Sequence, residues 1–186
     1  FGELELLADH WHDVLSTLFA RRFLAPIRRW CRRHGLLSGG HFSGEDTPAG
    51  NRFGTYGNIM QSLRMLDVPG VDAIWRQLFP GQRVHPFPKY ASSAAHQNGN
   101  RFALAEIFAV YGNALSPAEM RWLVDYMLVR GINLIVPSKI STCHREHFMS
   151  GIRPHFGRVN PLWPYMKEYH QYIERSCHLL SLGKPH

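Results

Sequence analysis

Two acidic positions have the setting that general acid–base chemistry requires. Glu106 closes the apolar run Phe102-Ala103-Leu104-Ala105, so its carboxyl would stand at the end of a buried strand. Loss of water there raises a carboxyl pKa and suits the group to hold a proton near neutral pH. The competing reading pairs Glu106 with a nearby arginine, Arg101 or Arg130. Glu45 and Asp46 follow Gly39-Gly40-His41-Phe42-Ser43-Gly44 and would lie over the same sheet edge. They read equally as a solvated turn or as oxygen ligands for a cation. If Glu45 and Glu106 sit on successive strands of a parallel sheet, their side chains come within about 5–10 Å, the spacing used by glycosidase carboxylate pairs.

Other chemistries find less support. The chain has 12 histidines, with His41, His96, His144 and His147 near loops, but no HExxH or comparable ligand spacing. Ser92-Ser93 lacks a GxSxG elbow. Lys139 follows an apolar strand, and one lysine is a thin basis for Schiff-base chemistry. Cys31, Cys143 and Cys177 are an odd number without a CxxC pair, which argues against a disulfide framework and a structural zinc site.

The elements that must position these groups alternate. Residues 4–34 read as one amphipathic helix, bent near Pro26 and ended by Gly35. Residues 36–42 read as a short buried strand, residues 58–66 as a helix, and Pro69-Gly70 as a turn. Asp72 would cap a short helix reaching Phe79. A small-residue helix over 91–97 precedes a strand over 101–106. Ser116-Pro117-Ala118-Glu119 then starts a helix that ends at Gly131, with Ser at the cap and Glu at the third position. A third strand over 132–136 and a helix over 161–182 complete the order.

That alternation predicts an α/β fold with parallel strands and outer helices. Three strands fall short of an eight-stranded barrel, which takes about 250 residues, so the expectation is part of a (β/α)8 barrel. Residues 1–186 would then be a fragment of one catalytic barrel domain, opening inside a helix as a piece of a longer protein does. The alternative is a small three-stranded α/β domain.

Composition limits the remaining classes. A 45% hydrophobic content excludes a disordered chain, and no apolar run is long enough to span a membrane. The first residues do not read as a signal peptide. Five Trp and seven Tyr suit either a sugar-binding cleft or a large core. The net charge of +7 is concentrated in Arg21, Arg22, Arg28, Arg29, Arg32 and Arg33, opposite an apolar stripe of Phe19, Phe23, Ile27 and Trp30. The pattern predicts an outer helix with the stripe on a core and the arginines in water, so nucleic acid is not expected as a partner.

Several segments, in order, resemble one enzyme family. Gly39-Gly40-His41 through Glu45-Asp46 is followed by Leu66-Asp67-Val68-Pro69-Gly70-Val71-Asp72. Then come Lys89-Tyr90-Ala91-Ser92-Ser93-Ala94-Ala95-His96, Ala105-Glu106-Ile107-Phe108-Ala109 and Gly131-Ile132-Asn133-Leu134-Ile135-Val136-Pro137. Together they resemble the catalytic barrel of the α-L-rhamnosidase-like glycoside hydrolases, of the family 106 type. The resemblance implies hydrolysis of a glycosidic bond by a carboxylate pair, with Glu106 carried over first and Glu45 second. It implies a carbohydrate substrate, a sugar site lined by His41, Asp46 and His96, and an assisting calcium ion. Tyr111, in the loop after the Glu106 strand, joins that lining. It also implies a secreted or periplasmic multidomain enzyme. One departure is Ser138, where the family often has a histidine after the third strand. The rival reading from another class is a carbohydrate-binding or scaffold barrel without catalysis.

Overall fold

The computed structural model describes residues 2–47, 56–81, 85–141 and 152–183, the side chains of residues 3–5 excepted. Four parallel strands form one sheet in the order of the chain: β1 (Gly39–Gly40), β2 (Val68–Ala73), β3 (Leu104–Ile107) and β4 (Leu134–Pro137). The sheet curls as a half-barrel with helices packed on it, which places the chain in the α/β class. The helices are α1 (Glu3–Leu18), α2 (Ala25–Arg33), α3 (Ile59–Leu63), α4 (Pro88–Gln97), α5 (Pro117–Leu128) and α6 (Met166–Ser181). The main core joins β2 and β3 to α4, α5 and α6 through Val71, Ala105, Ile107, Ala91, Leu123, Met127 and Ile173.

The strand missing from the sequence-based reading is β2. Pro69-Gly70, expected as a turn, lies inside it, and Asp72 is a strand residue rather than a helix cap. Burial decides the matter, because all six residues from Val68 to Ala73 are buried between neighbours on both sides. Gly70 is there for closeness. A Cβ on it would stand 2.7 Å from the Gly40 carbonyl oxygen and 2.8 Å from Leu104 Cδ2. Pairing sets Asp72 opposite Glu106, and Gly40 opposite Pro69.

The strand expected over 36–42 contracts to Gly39–Gly40, and Leu36 and Leu37 are exposed. The first helix is continuous from Glu3 to Arg33. Its irregularity is a π-helical turn over Phe19–Leu24, and Pro26 lies in the first turn of the segment that follows, Ala25–Arg33. Its faces are also turned from those expected. Of the expected stripe, Phe19 packs against a core cluster, but Phe23, Ile27 and Trp30 are exposed, whereas Ala20 and Leu24 are buried, and Arg28 continues that inward row.

The inward row has an electrostatic cause. Asp67 is buried just before β2 and accepts hydrogen bonds from Arg28 Nε at 2.8 Å, Arg32 Nη2 at 2.7 Å and the Ser38 N–H at 3.1 Å. Burial alone would raise its carboxyl; the Ser38 amide and the two guanidiniums outweigh it and hold the group at about 2. Two of the six clustered arginines therefore fix α2 to the β1–β2 junction.

The α5 start is as expected. Ser116 Oγ accepts from the Glu119 N–H at 3.2 Å, and Glu119 accepts from the Ser116 N–H at 3.0 Å, a complete capping box.

Candidate functional site

At the carboxyl ends of β1, β2 and β3, three carboxyl groups converge on one imidazole. His41 follows β1, Asp72 is the penultimate residue of β2, and Glu106 lies opposite Asp72 on β3. His41 Nδ1 is 3.3 Å from Glu45 Oε1 and 3.4 Å from Asp72 Oδ2, and His41 Nε2 is 3.1 Å from Glu106 Oε2. The two sides of the ring are thus bound to different carboxyls.

Local backbone holds the ring in place. Glu45 Oε1 also accepts the Phe42 N–H at 2.9 Å, closing the turn after His41. Tyr56 is buried against the Phe42 ring, with centroids 5.1 Å apart, and its hydroxyl donates to the Ser43 carbonyl at 2.7 Å. Burial, and after it the charges of the nearby carboxylates, raise that phenol, so it remains a neutral donor.

Electrostatics divide the carboxyls into distinct roles. The His41 imidazole is raised to about 9. Its hydrogen bond to Glu45 is the largest cause, burial opposes it, and the charges of Asp72 and Glu45 and the contact with Glu106 add to it. The ring is therefore a cation at neutral pH. Burial raises the Asp72 carboxyl to about 7, helped by the charge of Glu45 and opposed by the His41 cation. Asp46 adds to both Asp72 and Tyr56 through its charge.

Access separates the three. Glu45 is 0% exposed, and one of its oxygens, Oε2, is buried without a hydrogen-bond partner. A substrate cannot reach it, so the substrate-facing place expected of Glu45 is not where the fold puts it. Asp72 is also buried, at 5% exposed. The Glu106 side chain is 35% exposed and is the open member. Its partner is His41 rather than Arg101 or Arg130.

Two other expected residues stand elsewhere. Tyr111 is buried, and its hydroxyl both donates to the Leu78 carbonyl at 2.7 Å and accepts the Leu78 N–H at 3.3 Å. Its polar group is spent on the loop after β2. His96 is exposed near the end of α4, which feeds the amino end of β3, so it lies at the opposite edge of the sheet. The loop bearing His144, Arg145, Glu146 and His147 lies outside the described residues. Asp72 is the residue that sequence reasoning missed. Its signal was the one used for Glu106, an apolar run closed by a carboxylate, hidden by the Pro-Gly inside the run.

His41, Glu45 and Asp72 each offer one ligand atom, all within 4.8 Å of one another. Among the described residues, these three groups alone do not complete the calcium site that the resemblance implies. Calcium takes six to eight oxygens, whereas this group offers two carboxylates and a nitrogen.

The cluster makes stability depend on pH. His41 has a folded pKa above its unfolded value of 6.5, so its contribution is complete below 6.5 and is lost as pH rises through about 9. Asp72 acts in the same direction over a lower window, from its ordinary 3.8 to about 7. Thermal denaturation followed from about pH 6.5 to 9.5 should therefore show a falling midpoint, and His41→Gln should flatten the fall. A midpoint independent of pH over that range would contradict the charged ring.

No family model and no curated protein matches the chain. Among solved structures, a rhamnosidase from Novosphingobium sp. PP1Y is similar, with a TM-score of 0.76 and 19% identity over 94% of this chain. The chain spans 17% of that protein's length. At this identity the likeness shows the fold: four parallel strands with their helices, superimposable on part of a much longer chain.

Proposed function

We propose that this chain is part of a (β/α)8-barrel glycoside hydrolase that cleaves an α-L-rhamnosyl-type glycosidic bond, with Glu106 and Asp72 as its carboxylate pair. The observation that carries the reading is their position. They are register partners at the carboxyl ends of neighbouring strands, where barrel enzymes place their chemistry, and they grip the two nitrogens of one ring. The likeness to a rhamnosidase supports the fold and the choice of sugar chemistry.

Each group has a task suited to its setting. Asp72, raised to about 7 by burial, carries a proton in a large share of molecules at neutral pH and gives it to the leaving oxygen. Glu106, the open carboxylate, activates the attacking water. A base that activates water, with a separate carboxylic acid as proton donor, is the division of labour of inverting enzymes. The His41 cation holds Glu106 in place and, with Glu45 beneath it, balances the charge of the site. Glu45 is a positioning residue.

The test is the pH profile of hydrolysis of an aryl α-L-rhamnoside. Wild-type kcat/KM should fall above about pH 7, because the acid must be protonated. Asp72→Asn should lower it about a hundredfold and abolish that alkaline limb. An Asp72→Asn profile superimposable on the wild type would remove Asp72 from the reaction and favour a carbohydrate-binding barrel without catalysis.

A further inference from the structure

The long first helix leaves an apolar row in water along most of its length. Leu7, Trp11, Val14 and Leu18 on α1, then Phe23, Ile27 and Trp30, are between 42% and 65% exposed. The opposite side of the helix is the one spent on the fold. Ser16, Ala20 and Leu24 are buried there, and Ser16 Oγ accepts the Asn58 N–H ahead of α3 at 2.5 Å. Leu24 joins the cluster of Tyr56, Ile59 and Leu63.

The π-helical turn keeps the row on one side. Steps of 4, 3 and 4 residues lead from Leu7 to Leu18, and steps of 4 and 3 from Phe23 to Trp30, the spacings of neighbours on one helix face. The join from Leu18 to Phe23 is 5 residues. In an α-helix that step would turn the second half of the row about 140° away. It falls instead on the turn over Phe19–Leu24, where the Ala25 N–H donates to the Ala20 carbonyl and bonds close at the fifth residue. Phe23 therefore stands above Leu18, and its ring stacks on Phe19 with centroids 5.2 Å apart. The row runs unbroken for about 35 Å.

Area, shape and charge all fit a second copy of the same helix. Half of seven large side chains is roughly 700–800 Å² of apolar surface. That exceeds the largest patch of an ordinary monomer, about 300–600 Å², and comes close to the about 800 Å² that each partner gives to a standard interface. Counted outward from Leu18, the row falls 4, 7 and 11 residues before it and 5, 9 and 12 after it, the π-helical turn supplying one extra residue. A two-fold antiparallel pairing about Leu18 then sets Val14 against Phe23 of the second copy, Trp11 against Ile27 and Leu7 against Trp30. Each pair joins one aromatic ring to one aliphatic side chain, so large meets small along the seam. Residues 1–20 hold Glu3, Glu5, Asp9 and Asp13 and no Lys or Arg, whereas Arg21, Arg22, Arg29 and Arg33 are exposed in the second half. Antiparallel helices lay each basic half over an acidic half, and parallel ones would stack the arginines.

We propose that this face is where two copies of the chain pair, helix against helix and antiparallel, in an isologous dimer centred on Leu18. The pairing is independent of the proposed function, because the row lies on the helix that precedes β1 and none of its residues belongs to the carboxyl cluster.

The experiment is sedimentation velocity of the purified protein over a dilution series. The wild type should be a dimer at about 10 μM and dissociate on dilution. Leu18→Glu sets two carboxylates at the two-fold axis and should weaken association at least about a hundredfold, and Trp11→Glu about tenfold or more. Both side chains are at least half exposed, so circular dichroism should show each variant folded. In an antiparallel pair position 18 meets itself and position 7 does not. Under mild oxidation Leu18→Cys should therefore form a cross-linked dimer above the wild-type background, and Leu7→Cys should not. A wild type that stays monomeric at about 100 μM would overturn the dimer and leave the row to another segment of a longer polypeptide. Association of Leu18→Glu as tight as the wild type would overturn it equally. Cross-linking through Leu7→Cys as complete as through Leu18→Cys would overturn the antiparallel order.

Discussion

Glu106→Gln will lower turnover of an aryl α-L-rhamnoside by about 10³-fold or more while leaving the fold intact. The amide keeps the shape of the side chain and can still meet the His41 ring, but it cannot take a proton from water. The Glu106 side chain is 35% exposed, so the substitution leaves no buried group without a partner. Its melting midpoint should stay within a few degrees of the wild type, and KM should change little. Turnover kinetics and thermal denaturation of the same preparation separate the two effects. Undiminished turnover in a folded variant would remove Glu106 from the reaction.

His41→Ala will destabilise the protein by about 3 kcal/mol, the usual consequence of leaving buried charge without its partner. Glu45 has no exposure, Asp72 has 5%, and Glu45 Oε2 already lacks a hydrogen bond. The imidazolium is the cation in contact with all three converging carboxyls. For a chain of this size the midpoint should fall by roughly 10 °C. Adding Glu45→Gln to His41→Ala should recover part of the loss, because it removes the charge that the first substitution stranded. Purely additive losses in the double variant would mean that the two side chains do not depend on each other.

What the amino-acid order revealed and concealed has physical reasons. Glu106 was legible because an apolar run closed by one acid marks the carboxyl end of a buried strand in an α/β chain. Asp72 closes a run of the same kind, but Pro69-Gly70 mimics a turn. The approach of the Gly40 carbonyl and Leu104, which a Cβ on Gly70 would meet at 2.7 and 2.8 Å, accounts for the glycine, and those contacts join residues distant in sequence. The helix from Glu3 to Arg33 was legible as a helix but not in its facing. Periodicity ranks faces by hydrophobicity, whereas here Asp67 holds Arg28 in a half-buried position, is bound by the exposed Arg32, and Trp30 is left outside. His96 and Tyr111 were placed at the site by resemblance and position in the chain. The fold sets one at the opposite sheet edge and spends the other's hydroxyl on Leu78. The capping box at Ser116 was fully legible, because every group it needs lies between Ser116 and Glu119.

All of this depends on one imidazole staying charged among three carboxyl groups from different segments of the chain. The direct measurement is an NMR pH titration of the His41 ring, assigned by comparison with His41→Gln. The ring should remain protonated through about pH 8 and titrate near 9. A midpoint near 6.5, the value of a histidine in water, would mean that the carboxyls do not meet there, and the proposed site would fall with them.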